Sequence, residues 1–210
     1  MSILKIIEYG NPILREKSKE VTKISKKIKT LITDMLDTMY HANGVGLAAP
    51  QVGENLRIFV IDVSDPKGPI DPMVFVNPKI IKKSGAIASY EGCLSFPKAY
   101  TTVRRYKNVM VKALDINGRP FIKEAKDGEL LARAIQHEFD HLEGHMFIDH
   151  CRNRFSTNEV LAKYNLPSVQ EEYLLDEPEL EEEILNWEKQ NPDEAEKLRK
   201  EIEELESSKE

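Results

Sequence analysis

A chain of 210 residues, 40% hydrophobic and 31% charged, is the size of one ordinary globular domain with an appendage. Its longest aliphatic or aromatic runs, Ile58 to Ile61 and Met73 to Val76, fall far short of the ~20 residues of a membrane-spanning helix, so neither a span nor a membrane partner is expected. The net charge of −6 is uneven: residues 1–167 carry 25 basic and 19 acidic groups, residues 168–210 carry 5 basic and 17 acidic ones. A mildly basic body could lie near RNA, though such a surplus more often serves solubility; no DNA partner is expected.

The opening residues Met1 to Glu8 lack a signal-length apolar stretch, which predicts a cytoplasmic protein. From Val21 to Tyr40, Ile24, Ile28, Leu31, Ile32, Met35, Leu36 and Met39 recur at spacings of three and four, the stripe of an amphipathic helix ended by Asn43-Gly44. Short β-branched and aromatic runs follow at 56–63, 73–76, 79–89, 101–106, 108–114 and 120–125, predicting a mostly antiparallel sheet. Asn117-Gly118 predicts a two-residue type I′ hairpin turn. A second helix is expected over Gly128 to Glu143, stopped by Gly144. Beyond Pro167 the chain is dominated by carboxylates, with Leu198, Ile202 and Leu205 at helical spacing, and is expected to be a solvated helix or frayed tail.

The second helix carries Gln136-His137-Glu138-Phe139-Asp140-His141. Residues four apart share a helix face, so His137 and His141 can aim at one metal ion while Glu138 reaches a water there. A catalytic centre of this kind takes three protein ligands and keeps one position open. The long pattern with a third histidine six residues on fails, because Phe147 stands in its place. His145 follows the helix-stopping Gly144 immediately and His150 is off the spacing, so both read as surface or supporting groups. Cys93, in Glu91-Gly92-Cys93-Leu94-Ser95, is the better third donor, since a thiolate beside a divalent ion binds deprotonated, and Leu94 offers an N–H beside it. Two cysteines, Cys93 and Cys151, make no disulfide framework. A third segment, Gly44-Val45-Gly46-Leu47-Ala48-Ala49-Pro50-Gln51, suits a loop where main chain and substrate meet, with Gln51 as a neutral amide donor. From these residues alone the chain reads as a metal hydrolase, with an internal peptidase and a closed structural metal site left as alternatives.

Together GVGLAAPQ, EGCLS and QHEFDH, in this order, resemble the peptide deformylases, and Tyr9-Gly10-Asn11-Pro12-Ile13-Leu14-Arg15 is similar to that family's opening. The resemblance covers roughly residues 3 to 155. It implies an α+β fold with antiparallel sheets around a central H-E-x-x-H helix; the N-terminal amphipathic helix and the acidic, partly helical C-terminal extension are expected from the sequence pattern itself, and the extension goes beyond the family's pattern. The implied activity is removal of the N-formyl group from the initiator methionine of nascent polypeptides, releasing formate. It implies Cys93, His137 and His141 as metal ligands, Glu138 as general base and then acid, and Gln51 with the Leu94 N–H at the oxyanion. Val45 and Gly46 would line the substrate cleft, with Leu130 and Ala134 beside the methionine side chain. The implied cofactor is one Fe2+ per chain, replaceable by Zn2+, Ni2+ or Co2+. The implied partners are formyl-methionyl nascent peptides and, transiently, the ribosome. The expected division is a catalytic domain at 1–167 and an acidic extension at 168–210.

Overall fold

The computed structural model describes residues 2–207 except Pro66, with the side chains of residues 198, 199, 201–203 and 205–207 left aside. The side chains at the predicted apolar positions Leu198, Ile202 and Leu205 therefore lie outside what is described, although their backbone is helical. The first long element is helix α1, Lys26–His41, whose N-cap Ser25 accepts from the Ile28 N–H. It starts later than the pattern predicted, because Val21 is drawn off by Asn77, whose side chain bonds both its N–H and its carbonyl. At the far end Asn43, with φ +53°, is the left-handed residue rather than Gly44, and the Asn43 and Gly44 N–H groups return to the Tyr40 and Met39 carbonyls.

Five strands follow: β1 Gly46–Ala48, β2 Ile58–Ile61, β3 Met73–Cys93, β4 Phe96–Leu114 and β5 Pro120–Ala125. They pair in chain order, every neighbour antiparallel. The runs predicted as separate strands at 73–76 and 79–89 are one strand. Pro78 cannot donate to a ladder, but it falls at a register shift where the Asn77 N–H goes to the Arg57 carbonyl, so the strand passes through. The runs at 101–106 and 108–114 likewise merge into β4. The Asn117-Gly118 turn departs from type I′, for only Gly118 has positive φ (78°), and Asp115 instead caps the N–H groups of Asn117 and Arg119.

Helix α2, Leu130–Glu143, touches β1, β2, β4 and β5. Period-two alternation along the first strands decides which helix each residue meets. Leu47, Ile58, Val60 and Val76 pack with Ile32, Met35 and Met39 of α1, while Ala48, Phe59, Ile61 and Phe75 pack with Ala132, Ile135 and Leu142 of α2. Helix α2 thus lies enclosed, with His137, Glu138 and His141 all buried.

Among the described residues three helices follow: α3 Arg154–Lys163, α4 Pro178–Gln190 and α5 Pro192–Ser207. The expected frayed tail is corrected here. Leu180 and Ile184 of α4 are buried against Ala86 and Ala88 of β3, and Glu181 pairs with Arg104 and Arg152 at 2.7 Å. One helical face of apolar residues among the glutamates is enough to dock the segment on the sheet. No helix among the described residues is long and apolar enough to cross a membrane.

Candidate metal centre

Cys93 ends β3 at a two-residue turn, Leu94-Ser95, after which Phe96 pairs back with it. A shift of register between Gly92 and Cys93 turns the thiol out of the ladder toward α2. The Sγ lies 3.3 Å from His141 Nε2 and accepts from the Ser95 N–H and from Gln51 Nε2, each at 3.4 Å. One ligand atom from each of Cys93, His137 and His141 falls within 4.8 Å of the others, and no other such group of three occurs among the described residues. A sulfur and two imidazole nitrogens at this spacing fit a borderline divalent ion, which takes S at ~2.3 Å and N at ~2.0–2.1 Å. His145, His150 and Cys151 stay out of the cluster, which disfavours a closed four-ligand structural site.

The ring of His137 is oriented from behind. Its Nδ1 lies 3.0 Å from Glu91 Oε2, leaving the opposite nitrogen for the cluster. Glu91 in turn receives both Nε and Nη2 of Arg105, at 2.9 and 2.8 Å, and Arg105 Nη1 reaches Asp140 at 2.6 Å. Burial opposes every charge here. Even so, Arg105 and His137 hold the Glu91 carboxyl well below the usual carboxylate range, and Arg105 and His150 do the same for Asp140. Burial, strengthened by the neighbouring His137, pushes the His141 imidazole well below its usual value. A neutral imidazole is the form that binds a metal.

Glu138 sits one position round the helix from His137, 5% exposed, and its Oε2 has no hydrogen-bond partner among the described residues. Burial raises its carboxyl to about 7; His137 opposes the rise, while Asp140 and Glu91 add to it. A buried carboxyl of that acidity can both take and return a proton near neutral pH. Gly46 explains how the carboxylate fits: a Cβ there would stand 2.8 Å from Glu138 Cδ and 2.9 Å from its Cγ. Gln51, 1% exposed on the short turn Ala49–Val52, is locked by its Oε1, which accepts the Ala48 N–H at 2.8 Å; its Nε2 faces Ser95 Oγ and the Cys93 sulfur. The N-terminal segment straps both sides of this arrangement, with the Ile7 N–H on the Gln51 carbonyl and the Tyr9 N–H on that of Ser95.

These groups open into a cleft of about 380 Å³. Of the residues singled out in the sequence, Val45, Gly46, Gln51, Cys93, Leu94, Leu130, Ala134, His137 and Glu138 all line it. His141 lies beneath, 1% exposed. Val45 and Leu130, both 43% exposed, form its mouth. Sequence reasoning missed the supporting roles of Glu91, Arg105 and Asp140. Glu91 and Asp140 sit inside motifs already noted, so their position beside the candidate ligands is the available signal; nothing local distinguishes Arg105 from Arg104.

Comparison with known proteins agrees with the geometry. Residues 3–156 match the family model of polypeptide deformylase. Peptide deformylase 1 of Clostridium perfringens is 49% identical over 150 residues, 71% of this chain and 99% of the relative. The peptide deformylase of Baumannia cicadellinicola is 51% identical over 150 residues, 71% of this chain and 87% of the relative. Among solved structures, a peptide deformylase of Synechococcus elongatus in complex with actinonin superposes with a TM-score of 0.76 at 40% identity, covering 84% of this chain and 94% of that one. One from Legionella pneumophila gives 0.71 at 43%, covering 78% and 96%. The chain belongs to the polypeptide deformylase family, hydrolases that act on formyl-methionyl peptides and remove the N-formyl group from nascent polypeptides.

Proposed function

We propose that Cys93, His137 and His141 hold one Fe2+ per chain, with Zn2+, Ni2+ or Co2+ able to take its place, and that Glu138 carries the proton in deformylation. The bound ion would supply Lewis acidity toward water and the formyl oxygen. Glu138 accepts the proton of the attacking water and then delivers it to the departing amine, leaving formate and a free N-terminus. Gln51 Nε2 and the Leu94 N–H donate to the developing oxyanion, each such donor commonly being worth ~3 kcal/mol. Val45 and Gly46 hold the substrate through main-chain contacts, while Leu130 and Ala134 wall the methionine side chain.

The observation that carries this reading is the buried, unpaired Oε2 of Glu138 beside a convergent thiol and two imidazoles. A closed structural site would have no use for that carboxylate. Replacing Glu138 with alanine should leave metal content near one ion per chain while abolishing release of formate from a formyl-methionyl peptide. Full activity in that variant would contradict the mechanism, and loss of metal would favour a structural role. Anaerobic purification with metal analysis tests the preference for iron.

The same reading makes residues 1–167 the catalytic domain and 168–210 an acidic extension of a cytoplasmic protein. It also gives the basic body, through exposed Lys79, Lys82 and Lys112, a transient contact with the ribosome. Ribosome co-sedimentation unchanged after neutralising those lysines would remove that contact.

A further inference from the structure

We propose that Glu177 and His150 are positioning residues for the reaction, extending from the segment before α4 the line of charged contacts that orients the imidazole of His137. The line can be followed atom by atom. Glu177 Oε2 lies 2.9 Å from His150 Nδ1, and His150 Nε2 lies 3.1 Å from Asp140 Oδ2. Asp140 Oδ2 receives Arg105 Nη1 at 2.6 Å, Arg105 grips both oxygens of Glu91, and Glu91 Oε2 meets His137 Nδ1 at 3.0 Å. Charge alternates from Glu177 to Glu91, and none of the line's side chains is more than 20% exposed.

Arg105 must serve two anions at once. If His150 left, Arg105 would be Asp140's remaining cationic partner in this line, and the guanidinium would be drawn from Glu91 toward Asp140; the carboxylate behind His137 would turn with it. His150 can fill this role at neutral pH because Asp140 and Glu177, facing it from α2 and the segment before α4, raise its imidazole to about 9 against burial and the opposing Arg105. Solvent is close by. Asp140, His150 and Glu177 line a second cavity of about 630 Å³ behind α2, with His145, Glu143, Lys82 and Lys83 also on its wall. Removing the Glu177 carboxylate would let water compete for His150 and Asp140 there. The acidic segment thus does more than cover the sheet: it holds the far end of the line that sets one metal ligand.

This inference rests on His137 being a ligand, as proposed above, and the test separates the two. Metal affinity is measured by chelator competition, and steady-state kinetics on a formyl-methionyl peptide are followed in parallel, for the full chain and for Glu177→Ala, Glu177→Gln, His150→Ala, His150→Arg, Glu188→Ala and His137→Ala. Glu177→Ala and His150→Ala should each lower kcat about fivefold at unchanged KM and weaken metal binding several-fold, less than the roughly 10–100-fold typical of a group touching a ligand directly. His150→Arg, which keeps the cation, should recover most of both. Glu188→Ala loses an α4 contact to Arg152 that lies off the line and should change neither. The fluorescence of Trp187, the only tryptophan and set beside Lys107, should report α4 still docked in every Glu177 and His150 variant. Unchanged kcat and metal affinity in Glu177→Ala, Glu177→Gln and His150→Ala would overturn the proposal, as would an equal loss in Glu188→Ala. Wild-type metal affinity in His137→Ala would instead overturn the ligand set, and this line with it.

Discussion

The two faces of the β3–β4 ribbon are held by different physics. Toward α2 the ribbon presents Glu91 and Arg105, 8% and 2% exposed, which with Asp140 and His137 form a buried charged network. Toward α4 it presents Ala86 and Ala88, which meet Leu180 and Ile184, ringed by the partly exposed pairs of Arg104 and Arg152 with Glu181. Charges out of water are costly and tolerate only one arrangement, so the inner face fixes geometry. Apolar contact is non-directional and wet ion pairs are weak, so the outer face supplies cohesion.

The largest effects should come from the inner face. Arg105→Met removes the cation that Glu91 and Asp140 share, leaving Asp140 to His150 and Glu91 without a guanidinium; removing one partner of a buried pair typically costs about 3–5 kcal/mol. Denaturant unfolding of the metal-free protein would show it, and comparable stability would mean the network is slack. Gly46→Ala should lower kcat by up to about 100-fold, because the added methyl displaces the Glu138 carboxylate by a fraction of its length while leaving the ligands alone. Activity at the wild-type level would show that the main chain gives way instead.

A third test uses the acidity of Glu138. Its carboxyl titrates near 7 in the folded chain against an ordinary 4.5, so the folded state keeps this proton longer than the unfolded state. The stability it contributes is full below 4.5, is lost as pH rises through the interval to about 7, and stays absent above it. Thermal melts of the metal-free protein should therefore fall between pH 5 and 7 relative to Glu138→Gln; parallel curves would refute the raised acidity. On the outer face Ile184→Ala should cost roughly 2–4 kcal/mol, seen as loosening of α4 by Trp187 fluorescence, with kcat falling by no more than the loss expected of Glu177→Ala, because Glu177 caps that helix. Glu188→Ala, losing a partly exposed pair, should cost under about 1 kcal/mol.

The same contrast explains what could be read from the sequence. Helix α2 was legible because its apolar spacing and its His-Glu pattern are local, and β5 was legible to the residue. Strand β3 was cut at Asn77-Pro78 because that pair usually breaks a strand; the bonds that carry the chain through it come from Arg57 and Val21, far away in sequence. Cys93 could be named, yet its approach to His141 depends on a 48-residue separation closed by a hairpin turn that no run of residues announced. Arg105 was hidden for a related reason: strand alternation assigns it a face, but only the pairing of β3 with β4 says that Glu91 is there to receive it. The buried apolar part of α4 is Leu180 and Ile184 among glutamates, too thin a stripe to separate from a solvated helix before the alanines of β3 are known to face it.

The most direct test is X-ray absorption at the metal edge of protein reconstituted with one zinc per chain, compared with Cys93→Ala. The account predicts one sulfur at ~2.3 Å, two imidazole nitrogens at ~2.0–2.1 Å and one further light atom from solvent, with the sulfur lost in the variant. A shell without sulfur in the wild type, or one completed by a fourth protein ligand, would contradict it.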